Sequence, residues 1–162
     1  MKKFILNRFG IVHFYHCFTG IEPRYAIPDG CVDMVFCCNP KHPYAEICGT
    51  VLSPQIVLSE SNTSYFGVRF LPGYNPVFGS ADIMSHLVNH RIPLDDLIQD
   101  RRMLEEICST TDFRQQIRVF MRSYMSIYRR VCPQEHQNLL VLHSSNLMIR
   151  SAGSISIEQL AE

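Results

Sequence analysis

The chain has 162 residues, enough for one domain with a substantial core, since a chain of this length buries roughly 70% of the surface its unfolded form exposes. With 46% hydrophobic and 19% charged residues it is composed like an ordinary globular protein, far from the charged, apolar-poor chains that stay disordered. Fifteen basic residues balance fifteen acidic ones, which excludes the basic excess of an autonomous nucleic-acid module, so this chain alone is expected to bind DNA poorly.

At the N-terminus the apolar run Phe4-Ile5-Leu6 is broken at once by Asn7 and Arg8, too short for the core of a signal peptide. No stretch approaches the 18 or so apolar residues that span a bilayer, and the longest, 11–18, contains His13 and His16. A cytoplasmic protein is expected. Seven cysteines are an odd number without C-x-x-C spacing, and Cys37 and Cys38 are neighbours, which points to reduced, mostly buried thiols.

From residue 11 onward, β-rich runs alternate with turn residues, predicting strands over 11–18, 25–27, 31–38, 46–51, 55–59 and 64–70. Gly20, Pro28-Asp29-Gly30, Asn39-Pro40-Lys41-His42-Pro43, Ser53-Pro54 and Ser61-Asn62 punctuate them. Strands at this spacing indicate a small barrel or sandwich. After Pro72-Gly73 the pattern becomes helical, with short pieces over 81–88 and 94–108 and a long helix over 112–131 headed by an Asp112/Gln115 capping pattern. Phe113, Ile117, Phe120, Tyr124, Ile127 or Tyr128, and Val131 recur on one face; Arg114, Arg118 and Arg122 occupy another, and Pro133 closes the element. A second helix over 134–149 completes a helical hairpin.

Gly153 interrupts that helix, and Ser156 with Gln159 again has the form of a cap, heading a helix over 157–162. Helices shorter than about 12 residues are marginal alone, so further chain is expected to follow. The organisation read from these patterns is α+β: a β-rich part, 1–72, and a helical part, 73–150, followed by a linker and the start of another domain, 151–162.

Three blocks carry a family resemblance: Ile27-Pro28-Asp29-Gly30-Cys31-Val32-Asp33-Met34-Val35-Phe36, Phe66-Gly67-Val68-Arg69-Phe70-Leu71-Pro72-Gly73, and Ile92-Pro93-Leu94-Asp95-Asp96-Leu97. In this order they resemble the N-terminal, effector-sensing domain of a subgroup of AraC-type bacterial transcription regulators. The tail from Gly153 to Glu162 is similar to the opening helix of that family's helix-turn-helix domain, of which no recognition helix is present. The resemblance implies a cupin-like antiparallel β-barrel open to a small-molecule effector, helices that make a homodimer, and DNA bound through a missing C-terminal domain. It implies a regulatory domain, not an enzyme, without cofactor; the alternative reading is a cupin-like small-molecule-binding protein or enzyme.

Within the barrel the candidate ligand-binding residues are Tyr15, Met34, Phe36, Phe66 and Val68, with His13 and Arg69 as polar anchors. Alternation sets Phe66, Val68 and Phe70 on one strand face and Gly67 and Arg69 on the other. An arginine in an apolar strand needs an anion, and Asp33, in another apolar strand, is its natural partner, with a ligand contact as the other reading. Pro28-Asp29-Gly30 reads as a turn that shapes rather than binds.

No metal is expected: His13 and His16 point to opposite strand faces, His-x-His is absent, and the i, i+4 pair His86/His90 lacks the Glu of H-E-x-x-H. Neither a G-x-S-x-G elbow nor a Gly-rich phosphate loop is present, so no catalytic residue is assigned. The arginine row and Arg129-Arg130 read as a solvated face, with phosphate contact the sharper alternative. Phe120, Met121, Tyr124 and Met125 are the candidate dimerisation residues, because methionines widen the apolar face beyond one stripe; burial of both flanks within the monomer is the competing reading.

Overall fold

The computed structural model describes residues 1–20, 22–76, 83–98, 101–128, 143–144, 147–148, 150–151 and 154–156. The strands are β1 (Lys2–Arg8), β2 (Ile11–Phe18), β3 (Arg24–Ala26), β4 (Val32–Cys37), β5 (Tyr44–Cys48), β6 (Gln55–Val57), β7 (Ser64–Phe70) and β8 (Arg91–Pro93); the helices are α1 (Ile83–Leu87), α2 (Arg101–Cys108) and α3 (Phe113–Tyr128), with a 3-10 turn at Leu94–Asp96. The predicted strands over 11–18 and 64–70 coincide with β2 and β7. The predicted helix over 94–108 is instead the 3-10 turn followed by α2.

The fold is α+β, built on an antiparallel six-stranded sheet of order β1-β2-β7-β4-β5-β8, with β3 and β6 pairing as a separate two-stranded sheet. The expected barrel is not closed. Its two edges, β1 and β8, do not meet. β8 has only three residues and ends at Pro93, which has no N–H to extend a ladder, while β1 carries Lys2, Lys3 and Arg8 along an exposed edge. β1 is not among the strands expected from the sequence pattern, and β8 falls inside the part, 73–150, expected to be helical, between the pieces expected over 81–88 and 94–108: the sheet extends past residue 72.

Strand alternation gives the large sheet two chemically different faces. On one, Phe14, Val68, Met34 and Ile47 lie side by side across β2, β7, β4 and β5, next to Phe66, Phe36 and Ala45, and all are buried. α3 covers this face. Phe120 meets Phe14 and Phe36 edge-on, with ring centroids 5.8 and 6.2 Å apart. Each such side chain, fully buried, contributes about 1.5–3 kcal/mol of transfer free energy. Asp112 caps α3 by accepting the Arg114 N–H at 2.9 Å; Gln115 does not complete the capping box but accepts the Thr110 hydroxyl at 3.3 Å.

α3 is also fastened to the β1–β2 turn. Asn7, Phe9 and Gly10 there have positive φ, and the Tyr124 hydroxyl donates to the Phe9 carbonyl at 2.9 Å. Gly10 is required, since a Cβ at that position would stand 2.3 Å from the Tyr74 ring. The expected helix over 134–149 and the segment 151–162 lie largely outside the described residues, as do Arg129-Arg130 and Val131; His143, Ser144, Leu147, Met148 and Arg150 are helical.

Candidate functional site

The other face of the sheet is polar, and its register lays the candidate residues out in rungs. One rung crosses all six strands as Ile5, His13, Arg69, Asp33, Cys48 and Arg91. The adjacent rung runs Lys3, Tyr15, Gly67, Val35, Glu46 and Pro93. Together with residues of β3 and β6, His13, Arg69, Asp33, Cys48 and Arg91 of the first rung and Lys3, Tyr15 and Val35 of the second line a cavity of about 460 Å³. The small sheet supplies an apolar wall, with Tyr25 opposite Ile56.

At the centre of the floor, Arg69 is held by two carboxylates. Its Nε and Nη2 donate to Asp33 Oδ1 and Oδ2 at 2.9 and 2.8 Å, a bidentate pair, and its Nη1 donates to Asp29 Oδ2 at 2.7 Å. The other Asp29 oxygen accepts the Cys31 N–H at 3.0 Å, an Asx turn that fixes the loop before β4. Sequence reasoning found the Asp33 partner and missed Asp29; the Pro-Asp-Gly turn shapes the loop and also delivers a charge to Arg69. Burial raises the Asp33 carboxyl above its ordinary value, opposed by the Arg69 hydrogen bonds, while Asp33 holds the guanidinium still more firmly protonated. The bidentate geometry and the arginine's permanent charge make the pair ionic at neutral pH.

His13 stands beside Arg69 on the floor. Burial, then the charges of Lys3 and Arg69, lower its pKa to about 4, so it is neutral at physiological pH, and its buried Nδ1 has no hydrogen-bond partner. Tyr15 lies across Gly67, filling the space a side chain there would need, and burial raises its hydroxyl well above the ordinary range. Burial likewise raises Cys31, to about 11, and Cys48, so these thiols stay protonated. At one side Arg24 Nη1 donates to Cys17 Sγ at 2.8 Å, and at another Arg91 pairs with Glu46 at 2.9 Å.

The seven candidate ligand residues are therefore divided by the sheet. His13, Tyr15 and Arg69 meet on the cavity floor; Met34, Phe36, Phe66 and Val68 are 1% exposed or less beneath α3 and do not line the cavity. The residues that replace them as walls, Val35, Tyr25, Ile56 and Val57, lie at the opposite parity or on the small sheet. Alternation identifies Val35 at once, whereas the placement of β3 and β6 depends on long-range pairing.

Among the candidate dimerisation residues, Phe120 and Tyr124 face the sheet and are buried within the monomer, and Met121 and Met125 pack half-buried at its margin. Arg114 and Arg122 lie on the outer side of α3, Arg122 pairing with Glu106. His86 and His90 do not share a helix: α1 ends at Leu87, Asn89 turns the chain with φ 60°, and His90 Nδ1 donates to the Val88 carbonyl at 2.7 Å. No group of three or more potential metal ligands occurs among the described residues. No helix among them is long and apolar enough to cross a membrane.

An antiparallel sheet covered by helices on one face and bearing a polar cavity on the other defines the class of this α+β domain. Residues 10–93, from the start of β2 to the end of β8, match the family described as a domain of unknown function (DUF6597), and the chain belongs to that family. No curated protein and no solved structure matches it.

Proposed function

We propose that this chain is the effector-sensing and dimerisation module of an AraC-type transcription regulator, with the cavity as its small-molecule site. On this reading the large sheet and the β3–β6 pair are the two walls of a cupin-like sandwich. The observation that carries it is a cavity of ligand size, about 460 Å³, whose floor groups the polar side chains of His13, Tyr15 and Arg69.

The arrangement of the resembling blocks supports the same reading. The block at 27–36 supplies Asp29 and Asp33, the block at 66–73 supplies Arg69, and the three side chains join in one ionic cluster on the cavity floor. With Arg69 doubly engaged and His13 neutral, the floor suits a ligand with an apolar body and a hydroxyl or carbonyl group, the apolar part against Tyr25 and Ile56 and the polar group at His13 and Tyr15. A neutral imidazole offers one donor and one acceptor nitrogen, so either group finds a complement there. DNA is contacted through a C-terminal domain, and a twofold contact on the α3 side sets the spacing of the two half-sites.

Incubating the full-length protein with sheared genomic DNA and sequencing the retained fragments tests this reading. Enrichment of paired half-sites, altered by adding a small-molecule extract of the cells, is the expected result. Retention of no particular sequence with or without the extract overturns it.

A further inference from the structure

A second site stands away from the cavity, where the end of β4 meets the end of α2. Cys37 and Cys38 are neighbours whose side chains part: Cys37 packs with Cys17 and Tyr65, and Cys38 packs against the main core together with Cys108, the last residue of α2. The Cys108 thiol donates to the Cys37 carbonyl, the peptide oxygen next to Cys38, at 3.5 Å, while the Cys38 thiol donates to the Phe36 carbonyl at 3.8 Å and Gln116 Nε2 approaches Cys38 Sγ at 3.7 Å. Cys38 and Cys108 are half-buried and line one surface groove of about 500 Å³, so a small reagent has access to them. Gln116 is itself fully buried, and its Oε1 has no hydrogen-bond partner.

We propose that Cys38 and Cys108 are a reversible redox pair that closes to a disulfide when the protein meets a peroxide. Cys38 is the attacking thiol. Cys108 and Gln116 favour its thiolate and lower its pKa below the ordinary value, and the proximity of Cys38 raises that of Cys108. The Cys38 sulfur attacks the peroxide O–O bond, giving a sulfenic acid and releasing the alcohol, or water from hydrogen peroxide. The Cys108 sulfur then attacks the sulfenyl sulfur; the S–O bond breaks, and the oxygen leaves as water with the Cys108 proton. Two thiols are oxidised and one peroxide is reduced. A dithiol reductant restores both thiols by exchange through a mixed disulfide. The bond ties the sheet to α2 across the seam on which α3 rests, coupling the redox state to the position of the helical layer. This proposal is independent of the cavity and its ligand.

The test is to expose the whole chain to hydrogen peroxide, alkylate the remaining thiols, and map the cysteines by tandem mass spectrometry of tryptic peptides. The expected product is a Cys38–Cys108 linked peptide lighter by two hydrogens than its two parts, lost on treatment with dithiothreitol. In Cys108→Ser the Cys38 sulfenic acid is expected to persist and be trapped by dimedone. Over-oxidation of Cys38 in the wild-type chain without a link to Cys108, a Cys37–Cys38 link, or linkage only between chains overturns the proposal. The wild-type map decides the matter even if the variant fails to fold.

Discussion

Gly67 and Tyr15 face each other across β7 and β2, and the Tyr15 ring occupies the position of the missing side chain: a Cβ on Gly67 would lie 2.0 Å from the ring's Cζ. Gly67 thus lets the tyrosine lie flat on the sheet and leaves the space above it open. Gly67→Val is expected to lift the ring into the cavity and to destabilise the fold by about 1–3 kcal/mol, the range for overpacking a well-filled site. Denaturant unfolding measures the loss, and a crystal structure of the variant shows whether the ring has moved.

The Arg69 cluster makes a prediction about order of importance. Asp33 is the more enclosed carboxylate, with 17% side-chain exposure against 27% for Asp29, and it alone is bidentate. Removing one partner of a fully buried pair costs roughly 3–5 kcal/mol, and the 32% exposure of the Arg69 side chain reduces this to about 2–3 kcal/mol. Asp33→Asn is therefore expected to cost more than Asp29→Asn, and a double-mutant cycle with Arg69→Met should show coupling for both carboxylates. Equal small losses would mean that solvent already screens the cluster.

Acidification should weaken the fold through His13. Its folded pKa of about 4 lies below the ordinary 6.5, so between these values the unfolded chain binds more protons than the folded one. The favourable contribution of neutral His13 is complete above about pH 6.5 and is lost as pH falls toward 4. His16, lowered by burial and by Lys2, acts in the same direction, whereas Asp33, raised by burial, acts in the opposite one. The contribution of His13 is thus the difference between wild type and His13→Leu in melting temperature from pH 7.5 to 4.5. The wild type is expected to lose more stability over that interval.

Much of this architecture is legible in strand parity. The alternation in 64–70 by itself separates Arg69 from Phe66 and Val68, and the ionic need of Arg69 points to Asp33. Parity within one strand does not say which face becomes cavity and which becomes core. That assignment depends on α3: Phe120 packs on the Phe14, Phe36 and Phe66 side and leaves the charged face open. The edge strand β1 carries no clear strand signal because Phe4-Ile5-Leu6 is short and flanked by charge, a composition that also suits an exposed edge.

The two halves of α3 should separate in mutagenesis. Phe120→Ala removes a side chain that is 1% exposed and is expected to cost about 3–5 kcal/mol, with no bearing on association. Met121→Glu, at the half-buried margin, is expected to cost about 1 kcal/mol, near the centre of the range for single substitutions, and to convert the proposed dimer to monomer. Sedimentation equilibrium over micromolar concentrations reads the second effect; an unchanged mass for Met121→Glu would move the twofold contact elsewhere.

The central claim, that the cavity above His13 and Tyr15 is a small-molecule site, is tested most directly by thermal shift against a panel of uncharged hydroxylated and carbonyl compounds with apolar bodies. Wild type and Val35→Trp, whose indole would fill the cavity from the rung between Gly67 and Glu46, are run side by side. A compound at about 100 times its Kd adds about 2.7 kcal/mol, or roughly 5–10 °C for a domain of this size. The account predicts such a rise for at least one compound in the wild type and none for the same compound in a folded Val35→Trp. A panel that stabilises neither protein, or both equally, would contradict it.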